Sequence, residues 1–532
     1  MDIYKIKEIN YKNAGDACRM WLGDINGDGI MEIVMVQPDG GFDDRFYPHS
    51  VQCATAFDLD GNMLWQIGKP DPEVHGSGSD IPAQIYDIDR DGNNEFICVM
   101  NDELCIFDGK TGELKEKHEL PDKDAHDCII IADLEGTGYA QNIIVKNRYR
   151  KIWALDRNYE VMWTFEGDVG HYPWVYDLNR DGCDEVIAGY TVLDASGKPM
   201  WRIDMEDHAD CIWVGDLMQN GQPLVMVGGA DTTAYTADGR LVWRFTDTVE
   251  SQNIAPGKFI LGKSGLQVAG LDRIVRVGDN GKDGIFLFDC NANSLYKEDR
   301  KSIGWSTIVT VMHGFTRSAQ DYILAYRRGG GLIGGVYDGE MNCLLELPYD
   351  GHCMWADLTG DGLSQLLLYN GEKITIYSTE QTDLSKPAIN APRPQPKRLY
   401  NWTRYWGSEI EPERYAMGYV TGDFENQDIR KWAESCNDDE NITIADFAVL
   451  LVNALDLKAY YTENFKDVLS CDYFVKAAGI IKALGIIEGD TLDPDSYVSI
   501  EDANKMLDKA GAKKRLDGDG FVTMNMAARV FE

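Results

Sequence analysis

Three short stretches of the chain repeat one arrangement of oxygen-bearing side chains: Asp24, Asn26, Asp28 and Glu32; Asp87, Asp89, Asp91 and Glu95; Asp177, Asn179, Asp181 and Glu185. Each set fills positions 1, 3, 5 and 9 of a loop whose sixth residue is glycine (Gly29, Gly92, Gly182). Alternate residues of a tight loop turn inward, glycine permits the bend, and the last glutamate closes an oxygen shell around a hard cation, so the spacing predicts structural Ca2+. Asx turns without metal are the alternative for the same residues. Two related turns, from Asp133 through Glu135 and Thr137 and from Asp357 through Thr359, Asp361 and Gln365, have lost ligands or charge and are expected to hold water or nothing.

A second group could move protons. His126, His171, His208 and His352 stand five to eight residues ahead of Asp133, Asp177, Asp216 and Asp357. Imidazole changes charge near neutrality, which suits acid and base work. Close by in sequence lies the basic run Lys146, Asn147, Arg148, Tyr149, Arg150, and a second stands at Arg327 and Arg328. The chain has 51 Lys and Arg against 88 Asp and Glu, a net charge of −37. Cations that persist in such a field point to a local anionic partner, solvated loop arginines being the plainer reading. The same net charge disfavours nucleic acid and anionic membranes.

The positions of these groups follow an internal repeat. An acidic turn after a short apolar run recurs at Asp24, Asp87, Asp133, Asp177, Asp216 and Asp357, with degenerate copies near Gly257-Lys258-Phe259 and Ile308-Val309-Thr310. A hairpin turn alternates with it, at Asp58, Asp108, Asp156, Asp194, Asp238, Asp289 and Asp338. Trp65, Trp163, Trp201 and Trp243 follow several hairpins at similar offsets and are expected to pack against the next sheet. A period of about 45 residues with short strands suits four-stranded blades. The reading is therefore an all-β, eight-bladed β-propeller over residues 1–380, seven blades if the degenerate copies are misplaced, with residues 4–9 closing the ring. The histidines, at the start of each innermost strand, would then surround one mouth of the central channel.

Residues 381–427 form a Pro-rich connection expected to pack back on the propeller. From 428 to 532 the apolar spacing becomes helical, giving a small C-terminal α-helical domain. No run is long and apolar enough for a membrane helix. Twelve scattered cysteines with no Cys-x-x-Cys favour reduced thiols, and no export signal is visible, so the chain as written reads as cytoplasmic, or as secreted or cell-surface if a signal has been removed.

The run from Gly170-His171-Tyr172-Pro173-Trp174 through Asp177, Asn179, Asp181 and Glu185, continuing to Leu193-Asp194 and His208-Ala209-Asp210, resembles propeller-type rhamnogalacturonan lyases with FG-GAP/VCBS-type calcium repeats. The resemblance implies a calcium-containing polysaccharide lyase that cleaves a rhamnose-uronate glycan by β-elimination. Elimination needs cations on the carboxylate, a base for the adjacent proton and an acid for the leaving oxygen. Arg148 and Arg150 would take the first role, His171 or His208 the second, Tyr149 or Tyr172 the third, with His126 a further catalytic candidate and Lys146, His352 and Arg327 binding substrate. A propeller glycoside hydrolase, working through a carboxyl pair, and a non-catalytic glycan-binding protein are the rival classes. The tail, with Phe465-Lys466-Asp467-Val468 and Leu492-Asp493-Pro494, is similar to S-layer-homology repeats but carries Ile444 and Ile500 where that family has arginine. Self-association is the role this leaves open.

Overall fold

Between Tyr4 and Ser378 the strands gather into eight antiparallel sheets of four. The computed structural model describes residues 2–40, 48–74, 81–203, 209–275, 282–298, 307–327, 334–385, 401–404, 409–412 and 441–531, less positions 29, 90, 92, 138–139, 221, 319, 360–362, 456, 458, 460–463 and 469–473. Most of the connection between 381 and 427 lies outside these residues.

In seven sheets the strands follow chain order from the innermost outward, the first blade being Arg19–Gly23, Glu32–Pro38, Val51–Phe57 and Met63–Gly68. The eighth runs His352–Ala356, Gln365–Tyr369, Lys373–Ser378 and then takes Tyr4–Asn10 as its outer strand, registered from Tyr4 opposite Ser378 to Asn10 opposite Lys373. Blade one is thereby tied to blade eight, and the ring closes.

Burial follows position in the blade. In blade three Ile129–Ala132 and Asn142–Lys146 are buried throughout, whereas the outer Val161–Glu166 alternates between exposed and half-buried residues. Inner strands pack between neighbouring blades on both faces and so read as continuous apolar runs; outer strands meet water.

The tryptophans join blade to blade. Trp65 Nε1 donates to the Gly109 carbonyl at 2.7 Å, Trp163 to Ala195 at 2.9 Å, Trp201 to Ala237 at 3.0 Å and Trp243 to Cys290 at 2.9 Å. Each acceptor belongs to a hairpin of the following blade or to the residue just after its third strand. Gly112 lies under the first indole with φ +70°, where a Cβ would stand 2.8 Å from Trp65 Cγ. Only glycine meets both conditions without strain.

The degenerate turns need one correction. Ile308, Val309 and Thr310 lie within the first strand of blade seven, Thr307–Met312, and the turn begins at His313. His313 Nδ1 is 2.8 Å from Asp321 Oδ1, so an imidazole stands where other blades have the leading aspartate. In blade six Lys258 holds that place, its ammonium donating to the carbonyls of Lys263 (2.6 Å) and Gly265 (3.1 Å) and to Gln219 Oε1 (3.1 Å).

Among the described residues after 440 are four helices, Ile444–Ala454, Val475–Ala483, Ile500–Lys509 and Met524–Phe531, around their own apolar cluster. Thr443 and Asp446 form a reciprocal capping box, and Ser499 accepts from the Asp502 amide. Single bridges link Asn441 to Thr523, Thr443 to Tyr497 and Ser499 to Phe521, so three equivalent helix starts meet one another.

Candidate active site

Antiparallel strands sort the loops onto two faces. Segments entering each inner strand share a face with the turns between second and third strands; the acidic turns and outer hairpins occupy the other. His126 and His171, ahead of inner strands Ile129–Ala132 and Trp174–Tyr176, therefore share a mouth with residues 147–150, the turn between the second and third strands of blade three. The calcium-type loops lie beyond the far ends of those strands, about 13 Å away for a four-residue strand.

At the histidine-bearing mouth a buried carboxylate organises blade three. Asp127 accepts from Lys146 Nζ and, at 3.0 Å, from Arg148 Nη1; Lys146 also donates to the Arg148 carbonyl at 2.8 Å. Asp127 and Lys146 are fully buried and Arg148 nearly so. Burial raises the Asp127 carboxyl above its ordinary value, and the Lys146 ammonium opposes that shift. Lys146 is thus a structural counter-ion and not a substrate-binding group. Arg148 is bonded within the protein, so the expectation that it offers its whole guanidinium to a ligand is corrected: Asp127 engages Nη1.

Arg148 Cζ lies 5.5 Å from the centre of the Tyr149 ring, and Tyr149 stands edge-on to His171 with ring centroids 5.3 Å apart. His171 is buried, its Nε2 3.7 Å from Oδ1 of the fully buried Asp210. Tyr149 is 36% exposed, and Arg150 is exposed. The structure therefore brings together Arg148, Tyr149, His171 and Asp210, with Arg150 at the solvent edge. Tyr172 is buried at 5% exposure, as its neighbour His171 is at 3%, and of the two tyrosines expected to act as acid only Tyr149 reaches solvent. His208 lies outside the described residues, as does the Arg327 side chain. His352 belongs to blade eight, where it stacks on Tyr369 at 5.4 Å; blades one and two separate it from this cluster.

His126 is held differently. Its Nδ1 is 3.1 Å from the His49 carbonyl, and His49 Nδ1 is 2.9 Å from Asp39 Oδ1. Asp127, Asp210 and His49 were not singled out from the sequence. A signal existed for two of them, since a carboxylate follows the histidine in His126-Asp127 and His208-Ala209-Asp210.

On the opposite face the metal-type loops are folded and oxygen-rich. Asp24 Oδ1 accepts from the Gly27 and Asp28 amides, Asn26 Nδ2 donates to Glu32 Oε1 at 2.8 Å, and Asn179 Nδ2 to Glu185 Oε1 at 2.7 Å. Burial, with the neighbouring aspartates, pushes Glu32 up to about 8 and Glu185 to about 7. Carboxyls crowded in this way gain from a cation, and the donor set fits Ca2+. In blade two, ligand oxygens of Asp87, Asp89 and Glu95 lie within 4.8 Å of one another. There Lys115 Nζ already donates to Asp89 Oδ2 (2.6 Å) and Glu95 Oε1 (2.9 Å) and lies 3.5 Å from Asp91 Oδ2. An internal ammonium neutralises that loop, so Ca2+ would have to displace it.

Comparison with known proteins places this mouth in a context. Residues 137–251 match the family described as rhamnogalacturonan lyase family 11, C-terminal domain. Two proteins of Bacillus subtilis (strain 168) are similar: rhamnogalacturonan endolyase YesW, 25% identical over 258 residues, and rhamnogalacturonan exolyase YesX, 24% identical over 255. Each match takes in 37% of this chain and 41% of the relative, so the chain spans about two fifths of the curated relatives it matches. The crystal structure of exotype rhamnogalacturonan lyase YesX superposes with a TM-score of 0.50 at 18% identity, covering 75% of this chain and 78% of that one, and shares the propeller fold.

Proposed function

We propose that the chain is a polysaccharide lyase that cleaves a rhamnose-uronate glycan by β-elimination. The observation that carries this reading is the extent of the lyase-family match: residues 137–251 contain Lys146, Arg148, Tyr149, Arg150, His171 and Asp210, the same groups that the propeller gathers at one mouth. In the reaction a base removes the proton on the carbon beside the carboxylate, those electrons form the new C=C bond, and the C–O bond to the leaving sugar breaks as its oxygen takes a proton. Cations at the carboxylate stabilise the enolate between these events. Arg150, with Arg148 behind it, supplies charge; His171, paired with Asp210, supplies the base; Tyr149, exposed and edge-on to that imidazole, supplies the proton. The buried Asp210 carboxylate, 3.7 Å from Nε2, places a negative charge beside that imidazole.

Ca2+ in this reading is structural, held by Asp24, Asn26, Asp28 and Glu32 and by Asp177, Asn179, Asp181 and Glu185. The FG-GAP-type loops and the S-layer-homology-like tail then act on stability and self-association.

The test is to offer rhamnogalacturonan oligomers and follow ultraviolet absorbance of the unsaturated product. Absorbance that is lost in both His171→Ala and Tyr149→Phe supports the assignment. Reducing sugar released without absorbance would make the chain a hydrolase, and retention without cleavage a binding protein.

A further inference from the structure

The outer strands share an irregularity. Where each leaves its hairpin, one residue drops out of the ladder: in blade two Ile106 pairs with Glu116 and Phe107 with Leu114, so Lys115 faces no residue of the third strand. The same register step leaves out Leu64 in blade one, Met162 in blade three, Met200 in blade four and Val242 in blade five. Blades six and seven leave out Leu295 and Leu344. A bulge bends its strand and re-aims the side chain of the extra residue. Among these bulged residues Lys115 alone is charged.

Two blades show where the bulged side chain goes. Lys115 Nζ reaches back to the acidic turn of its own blade, donating to Asp89 Oδ2 (2.6 Å) and Glu95 Oε1 (2.9 Å) and lying 3.5 Å from Asp91 Oδ2. In blade three Met162 Sδ lies 3.4 Å from Asn142 Nδ2. Asn142 opens the second strand opposite Ala132, as Glu95 opens its own opposite Tyr86. The bulge therefore stands over the position that closes the oxygen shell.

A second difference accompanies the lysine. The third position of the turn is Asn26 in blade one and Asn179 in blade four, and each amide donates to its closing glutamate, at 2.8 Å to Glu32 Oε1 and 2.7 Å to Glu185 Oε1. In blade two that position is Asp89, a carboxylate with no proton to give, and Lys115 donates to Glu95 Oε1 in its place. The other glutamate oxygen is engaged alike in all three blades, Oε2 accepting from the amides of Ile25, Ile88 and Leu178. Blade two thus has one carboxylate more than its counterparts and a tethered ammonium among its ligand oxygens. A lysine head is a compact charge with three donors, so it can hold several carboxylates together as a hard cation does.

We propose that the bulged residue at the head of the outer strand decides which cation its acidic turn takes. Lysine, combined with aspartate at the third position, gives blade two a built-in cation and keeps metal out. The apolar Leu64 and Met200, combined with asparagine, leave the turns of blades one and four open to Ca2+. The inference rests on the structural-calcium reading of those two blades and adds the residue pair that determines it. One turn of the ring is thereby neutralised whatever the supply of metal.

The experiment counts Ca2+ bound by the full chain, by equilibrium dialysis and titration calorimetry. Lys115→Met with Asp89→Asn gives blade two the pair found in blade four, and this variant should bind one Ca2+ more than the native chain. The reverse exchange, Met200→Lys with Asn179→Asp, should bind one fewer. Thermal scans show that each variant is folded and read the same change independently: chelation should lower Tm more than in the native chain for the first exchange and less for the second. Should the reverse exchange fail to fold, the first decides alone. Counts that match the native one would overturn the selector and leave the calcium reading intact. Ca2+ bound by the first variant and not by the native chain would support the selector and remove the calcium reading of blades one and four; no binding by either removes both.

Discussion

Arg148 and Asp127 meet at 3.0 Å across blade three, the arginine from the turn after the second strand and the aspartate from the segment leading to the first. Asp127 also takes Lys146, so one buried carboxylate holds two cations and fixes the turn that carries Tyr149 and Arg150. Removing it leaves buried positive charge without its counter-charge. Asp127→Asn should lower unfolding free energy by about 3–5 kcal/mol, read from urea denaturation. Asp127→Leu with Lys146→Met should recover part of that loss.

Arg150 is exposed and stands at the edge of the cluster. Arg150→Ala should leave the unfolding midpoint nearly unchanged, since surface substitutions fall within about 0.5 kcal/mol, while raising KM for a uronate substrate roughly tenfold or more. Steady-state kinetics beside a thermal scan separates the two effects.

The acidic loops predict a pH-dependent response to Ca2+. Glu32 is raised from an ordinary 4.5 to about 8, so in the metal-free protein its folded form binds more protons than the unfolded one. Its contribution is complete below pH 4.5 and is lost as pH rises through about 8. Glu185, raised to about 7, acts in the same direction. A cation replaces the missing protons, so the gain in Tm on adding Ca2+ should grow from pH 5 to pH 8. Equal gains at both values in calorimetry would contradict the assignment.

Lys115 gives a prediction of its own. Lys115→Ala removes the ammonium from Asp89 and Glu95 and should leave blade two dependent on added Ca2+. Chelation should then lower Tm by roughly 1–3 °C more than in the native chain, the shift that about 1–2 kcal/mol produces in a ring of this size.

Gly112→Ala tests the joint between blades one and two. A methyl there meets Trp65 Cγ at 2.8 Å on a backbone with φ +70°. The expected cost is about 1–3 kcal/mol by chemical denaturation.

Most of the ring was legible because Asp24, Asp87, Asp133 and Asp177 each close an inner strand and Asp58, Asp108 and Asp156 each open a hairpin, two signals carried by local turn chemistry. Blades six and seven blurred where Lys258 and His313 replaced the aspartate, for a cation in that turn finds carbonyls or a distant carboxylate that spacing does not reveal. The same limit hid the heart of the site. Lys146 and Arg148 read as ligand-facing cations because Asp127, 19 and 21 residues away, becomes their partner only through strand register. Tyr172 looked equivalent to Tyr149, and only packing distinguishes the buried ring from the exposed one.

The pairing of Tyr4–Asn10 with Lys373–Ser378 also sets an order of events. During synthesis Tyr4–Asn10 must wait, unpartnered, until Lys373–Ser378 has been made, so the last blade of the ring is completed by a strand that precedes all the other blades in the sequence. Such distant pairing slows assembly. It also makes the seam the natural point of entry for opening: a cut just after Asn10 would free that strand from the ring, bare the edge of Lys373–Ser378, and leave a sheet able to recruit a strand from another copy.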